Sequence, residues 1–468
     1  MEIRKWLESL KKRGMQLGLN STKKLLKALG NPQEQFPSIH VAGSNGKGSC
    51  CYIMAKLMKY KFGKEKIGLF TSPHLCHIEE RIRINGKLIQ PKYFDAILET
   101  IKETVEQIPE INPTFYETTF VAAMIAFSEQ NVEWAIIETG LGGRLDATKL
   151  VKSKACVLTS ISLEHTEVLG DTIEEIAAEK AAIVPKDTPL VAVWNESENA
   201  RKVIENSVSS HTLGFWYDPV TSFFFNFGVD PREQEIGTIM PPKNKLKLGI
   251  DYRQEGHYYD PTFLRSFLND ALLIARFVLY ELLRIKPDQN NIKDKHIAGF
   301  LQFPGRMQEI QINKSKNPIR LIIDSAHNPS GIKRAFLELQ EKYIDKKAQY
   351  IILGTSPQNK LNDFLDPIIE YCINNEDVVL ILTQPEGGRY EPISAKDLEN
   401  EIKKQLPEAN TVVRISAHSA LEELLNEWDN YSSTIPSKEG FAICIGSLYL
   451  AGNILSSLRK DSFEDLSF

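Results

Sequence analysis

Residues 40–60, HVAGSNGKGSCCYIMAKLMKY, constrain the fold of this chain more than any other segment. An apolar, strand-like run enters the glycines Gly43, Gly46 and Gly48, which surround Asn45 and Lys47, and the pattern then turns helical. Glycines let a backbone turn tightly enough to aim successive N–H groups at phosphate oxygens. The helix start adds partial positive charge, Lys47 can reach the outer phosphates, and Ser49 stands where a hydroxyl meets Mg2+. The general GxxxxGK[ST] spacing is not met, because Val41 occupies the place of its first glycine. The bland alternative is a glycine-rich turn with a solvated lysine, but strand, GxxGKGS and helix together favour phosphate binding. A ligase, a kinase, a GTPase switch and a motor all remain open at this point.

Short β-rich runs alternate with helical patterns along most of the chain, which predicts α/β architecture with mostly parallel sheets. Strands are expected at 38–43, 66–70, 134–139 and 155–161, then at 320–324, 350–355, 378–383, 411–416 and 441–446. Since 468 residues exceed one ordinary core, two domains follow. They are an N-terminal P-loop ATPase-type domain over 1–297 and a C-terminal doubly wound, Rossmann-like domain over 298–468. The divide comes after an apolar helical stretch at 264–284. Residues 206–262, rich in aromatics, Pro and Gly, fit neither period and suggest irregular β structure.

A net charge of −5, from 56 Lys+Arg against 61 Asp+Glu, includes no long basic block and argues against nucleic acid as a partner. No apolar run approaches the roughly 18 residues of a membrane span. The six scattered cysteines carry no metal-finger spacing and suggest reduced thiols in the cytoplasm. Ile3, Trp6, Leu7 and Leu10 recur at helical spacing beside Glu2 and Glu8, which fits a surface helix better than a targeting peptide.

Beyond the phosphate loop stand GLFTSPHL (68–75), ERIRING (80–86), TFYE (114–117), ETGLGGRLDAT (138–148), SISLEHTEVLGDTIEEIAAEKAAI (160–183), FPGR (303–306), DSAHNP (324–329) and GSLYL (446–450). Together and in this order they closely resemble the folylpolyglutamate synthase and dihydrofolate synthase family, within the Mur-ligase-like ATP-dependent amide ligases. The resemblance implies that ATP phosphorylates a pterin or folate carboxylate and that the amino group of L-glutamate then displaces phosphate. GLGGRLDA resembles forms that accept dihydropteroate, so it implies dihydrofolate synthesis together with glutamylation of reduced folates. A polyglutamate-only synthase or a Mur-type ligase with another acceptor is the alternative within the class, and a P-loop switch protein is the alternative outside it.

The same resemblance assigns residues. Ser49, Ser72, Glu138 and His165 would hold Mg2+, with two ions implied, and Lys180 would be carbamylated. Asn45, Gly46, Lys47, Gly48, Ser49, Asn269, Arg306 and Asp324 would contact ATP. Phe115, Tyr116, Leu145, Asp146 and Ala147 would receive the pterin side, while His327 and Ser447 would meet the incoming glutamate. Read alone, Glu138 is equally a cap or turn residue, His165 a surface histidine, and Lys180 a helix-surface lysine paired with Glu175 or Glu179. Arg306 and Asp324 would equally form an interdomain ion pair. Glu164 stands where the family usually has Asp, and GTSPQNK (354–360) replaces an acidic-lysine loop. The resemblance carries no signal for oligomerisation, and a monomer is expected.

Overall fold

The computed structural model describes residues 2–14, 18–62, 66–194, 197–208, 212–218, 223–226, 267–283, 303–313, 317–343, 347–375, 377–388, 390–433 and 439–458. Among these, β1 (Ser38–Ala42), β2 (Ile67–Phe70), β3 (Ile82–Ile84), β4 (Lys87–Leu88), β5 (Trp134–Glu138), β6 (Ser153–Leu158), β7 (Leu190–Trp194), β8 (Leu213–Asp218) and β9 (Phe223–Asn226) form one sheet. Their order is β4-β3-β2-β5-β1-β6-β7-β8-β9. The strands from β2 to β8 run parallel, and antiparallel partners close both edges. The β8–β9 ribbon lies within the stretch expected to be irregular, while 227–262 fall outside the described residues.

Strand β1 is buried along its whole length, because helices cover both faces of a parallel sheet and leave no polar alternation. Ile39, Val41, Ile136, Ala155 and Val157 face one apolar cluster, shared with helices Lys47–Phe62 and Phe267–Leu283. Ala135 and Ile137 face the opposite side, against helix Phe115–Glu129, and Cys156 and Leu158 face helix Ile173–Ala181.

The second sheet contains β10 (Gln308–Ile312), β11 (Ile319–Ile323), β12 (Tyr350–Leu353), β13 (Val379–Leu382), β14 (Asn410–Val413) and β15 (Gly440–Ile445), ordered β10-β11-β15-β12-β13-β14. Only β10 is antiparallel. Phe441, Ile443 and Ile445 point into one core and Ala442 and Cys444 into the other, so this sheet too is covered on both faces. The expected divide at 297/298 lies outside the described residues. The two halves touch closely at the site edge: a Cβ on Gly452 would lie 2.1 Å from the Leu75 carbonyl oxygen. Among the described residues no helix is long and apolar enough to cross a membrane.

Candidate active site

The first sheet brings its chemistry together at the carboxyl ends of three adjacent strands, where open α/β sheets bind ligands. After β1 the chain turns at Gly43, whose φ is +149° and where a Cβ would stand 1.8 Å from Thr159 Oγ1. Gly46, at φ +85°, makes the second turn, and its carbonyl accepts the Cys50 N–H at 2.9 Å as the helix begins. Lys47 Nζ donates to the Gly43 and Ser44 carbonyls at 2.8 and 3.1 Å, which folds the lysine against its own loop. Ser49 follows on the first turn and is buried.

Strand β5 delivers Glu138, which is buried and accepts the Ser72 N–H at 2.8 Å. Its oxygens lie 3.4 Å from where a Cβ on Gly48 would be, so the carboxylate stands directly beside the phosphate loop. Burial pushes the Glu138 carboxyl up to about 7, against the opposing pull of Lys47, the Ser72 N–H, Arg306 and Arg81.

After β6 come Glu164 and His165. Lys180, on helix Ile173–Ala181, is buried beneath the phosphate loop rather than lying on a helix surface. Its Nζ donates to the Gly43 carbonyl at 2.9 Å and to Glu164 at 2.7 Å. Burial lowers the Lys180 pKa and Glu164 restores part of it. Burial raises Glu164, but Lys180, Lys47 and His165 outweigh that and hold it at about 2. His165 adopts a left-handed backbone, is about half exposed, and sits 3.7 Å from Glu167, with no hydrogen bond to Glu138.

The expected acceptor residues line the loop after β5 and the start of helix Phe115–Glu129. Tyr116 Oη donates to Asp146 at 3.1 Å, and Asp146 also accepts from the Gly140, Leu141 and Thr148 N–H groups at 2.9–3.1 Å. A Cβ on Gly140 would meet the Tyr116 ring at 2.5 Å, so the tyrosine requires glycine there. Phe115 is half-buried with Lys11 and Arg81 over its ring, at 5.0 and 5.4 Å. Leu145 is half-buried, whereas Ala147 is packed into the apolar core and not at an open face.

The second sheet contributes from its own strand ends. Asp324, after β11, accepts the Met307 and Ala326 N–H groups at 2.9 and 2.8 Å and thereby fixes the turn carrying Arg306. His327 contacts the Ser325 carbonyl through Nδ1 at 3.0 Å, and Ser447 caps helix Leu448–Ser457. Asn45 of the phosphate loop is tied directly across: Asn328 donates to it at 3.0 Å, and it donates to Ser330 at 3.1 Å. A pocket between the halves is lined by Asn45, Gly46, Ser49, Arg306, Asp324 and Arg334 among others. Asn269 belongs to helix Phe267–Leu283, but its side chain lies outside the described residues.

A magnesium ion fits this chemistry. Among the described residues no three His, Cys, Asp or Glu gather into a cage. Magnesium needs no such cage, because it keeps waters and takes one or two carboxylates plus substrate phosphates. Glu138, buried beside Ser72 and the turn that carries Gly48 and Ser49, supplies that carboxylate.

Sequence reasoning missed Arg81, the Arg334–Asp270 ion pair at 3.3 Å, and Glu164 as the partner of Lys180. Arg81 carried no local mark beyond its membership of ERIRING. The Arg334–Asp270 pair joins helices far apart in sequence, where no periodicity signals contact.

A phosphate loop at the centre of a parallel sheet, facing a second α/β half across a pocket lined from both sides, defines a P-loop enzyme whose site is completed between two domains. Residues 41–218 match the Mur ligase middle domain, and residues 308–457 match the dihydrofolate synthetase C-terminal domain. The chain is 40% identical over 457 residues to a probable dihydrofolate synthetase of Schizosaccharomyces pombe, covering 96% of this chain and 99% of the relative. It is 30% identical over 358 residues to the dihydrofolate synthase/folylpolyglutamate synthase of Bacillus subtilis, covering 75% and 78%. The structure of a bifunctional folylpolyglutamate synthase/dihydrofolate synthase from Yersinia pestis, complexed with AMPPNP and Mn ion, shares the fold. Its TM-score is 0.68 at 21% identity, with 98% of each chain covered. The chain belongs to the dihydrofolate synthase/folylpolyglutamate synthase family of ATP-dependent ligases.

Proposed function

We propose that this chain joins L-glutamate to dihydropteroate, giving dihydrofolate, and adds glutamate to reduced folates, with ATP going to ADP and phosphate. The observation that carries this reading is the convergence of Lys47, Glu138 and the Tyr116–Asp146 pair at the ends of β1 and β5. A phosphate donor and a flat acceptor carboxylate then meet in one place. The acceptor carboxylate attacks the γ-phosphorus, the bond to the bridging oxygen breaks, and ADP leaves. The glutamate amine attacks the resulting acyl phosphate, the C–O bond to phosphate breaks, and the surplus amine proton departs. Activation is required because a bare carboxylate is a poor electrophile.

In this reading Lys47 moves from the loop carbonyls to the phosphates, and Arg306 meets the nucleotide from the other domain. Domains 1–297 and 298–468 thus act on one ATP. Glu138, Ser49, Ser72 and His165 would hold two magnesium ions, which neutralise phosphate charge when bound. Lys180 would take up CO2 as its neutral amine, losing a proton and becoming a carbamate. That replaces the Lys180–Glu164 ion pair by two neighbouring carboxylates, an exchange favourable only where a cation accompanies it. His327 and Ser447 would meet the incoming glutamate. A monomer is the expected state, and the thiol cysteines suit the cytoplasm.

A narrower reading, dihydrofolate synthesis alone, is favoured by the name of the S. pombe relative. Mass spectrometry of products made from ATP, Mg2+, glutamate and either dihydropteroate or tetrahydrofolate separates the two. Glutamylation of both supports the full reading, the first alone supports the narrower one, and neither refutes both.

A further inference from the structure

Arg81 ends the turn Ile78–Arg81 between β2 and β3 and is 7% exposed. A buried guanidinium ordinarily has a carboxylate partner, because an unpaired charge out of water is costly. Arg81 has none among the described residues: its only side-chain hydrogen bond runs from Nε to His74 Nδ1, at 3.0 Å. That partner is an imidazole accepting at Nδ1, not a carboxylate. The carboxylates nearest in the fold are already engaged. Glu80 accepts the Leu75, Cys76 and His77 N–H groups at 2.8–2.9 Å, and Glu138 accepts from Ser72.

The remaining surroundings say where the missing anion would sit. The guanidinium carbon lies 5.4 Å from the Phe115 ring centroid. Burial lowers the Arg81 pKa, and Tyr449, Tyr116 and Glu138 act against it, so the group stands among residues of both halves. The guanidinium therefore stands near both the Phe115 ring of the aromatic acceptor wall and the charge of Glu138 at the end of β5. A flat aromatic acid lying against that wall would put its carboxylate there.

We propose that Arg81 is a catalytic residue that binds the acceptor's reacting carboxylate. Resting on the ligase reading above, it assigns the guanidinium two successive tasks. It first holds the carboxylate oxygen that is not attacking phosphorus, fixing the other in line with ATP. When the glutamate amine adds to the acyl carbon, that same held oxygen takes the negative charge, and the same donors stabilise it until phosphate leaves.

The test compares dihydropteroate with its analogue lacking only the carboxyl group, in binding to the whole protein without ATP. Wild type should prefer dihydropteroate by roughly 10- to 100-fold, the range for a hydrogen bond to a charged group. Arg81→Gln should abolish that preference while leaving affinity for the analogue within about threefold, since the aromatic contacts do not need the charge. Arg81→Lys, which keeps the charge and loses the fork, should retain part of the preference and lose at least about tenfold in ligation turnover. Equal wild-type affinities for the two compounds overturn the proposal, whether or not the variants fold. So does an Arg81→Gln or Arg81→Lys protein with the wild-type preference and turnover. A wild-type protein that discriminates as expected yet ligates no glutamate would instead refute the ligase reading and leave the carboxylate site standing.

Discussion

Glu138→Gln should stabilise the unliganded protein while destroying its activity. The wild-type carboxyl is raised from the ordinary 4.5 to about 7, chiefly by burial. The folded state therefore holds a proton that the unfolded state has released, and stability falls as pH climbs from about 4.5 to about 7. At 1.36 kcal/mol per unit, that displacement corresponds to about 3 kcal/mol lost by neutral pH. Gln keeps an oxygen for the Ser72 N–H and cannot ionise, so it removes the penalty without opening a cavity. Denaturant unfolding followed by the fluorescence of Trp134 and Trp194, both on strands of this sheet, measures the effect. The variant should gain up to about 3 kcal/mol over wild type near pH 8, and that gain should vanish near pH 4.5. Adding Mg2+ and ADP should reverse the order, because only wild type offers the ion a carboxylate. A difference that is flat with pH, or a variant no more stable than wild type near pH 8, would refute the reasoning.

Lys47→Ala should lower ligation by about 10²–10³ while leaving the unfolding transition in place, since among the described residues Lys47 bonds only to carbonyls of its own loop. A new carbamate resonance from Lys180 should appear in 13C-bicarbonate NMR only when Mg2+ is present, and should be absent from Lys180→Arg; a signal without the ion contradicts the charge argument. Asn328→Ala removes both the cap of helix Pro329–Lys342 and the tie to Asn45. It should cost about 1 kcal/mol in stability and raise the KM for ATP, measured against an unchanged KM for dihydropteroate.

What the sequence made legible were features with a local signature. Strands buried on both faces are continuous apolar runs, and most of those expected from the runs occur within a few residues of their stated limits. The phosphate loop announces itself through glycines whose positions the backbone dictates, as Gly43 against Thr159 illustrates. Composition alone favoured a surface pairing for Lys180 with Glu175 or Glu179. Its helix instead presents it inward to Glu164, a contact set by how that helix lies across β6. Ala147 was expected to receive the pterin side, but it packs into the apolar core, which a small apolar residue does not announce locally. Arg81 was illegible for the opposite reason: burial without a partner is a property of the assembled site and leaves no periodic trace.

The contact of Gly452 with the Leu75 carbonyl bears on how such a protein can be recombined. No side chain fits between those two backbones. A chimaera joining one relative's phosphate-loop half to another's second half must therefore inherit glycine at 452 together with a matching path for the 71–77 loop. Otherwise the halves are propped apart at the rim where their substrates meet. The seam thus behaves as a compatibility lock between two segments nearly at opposite ends of the chain, and exchange along this lineage should respect it even where the intervening sequence drifts.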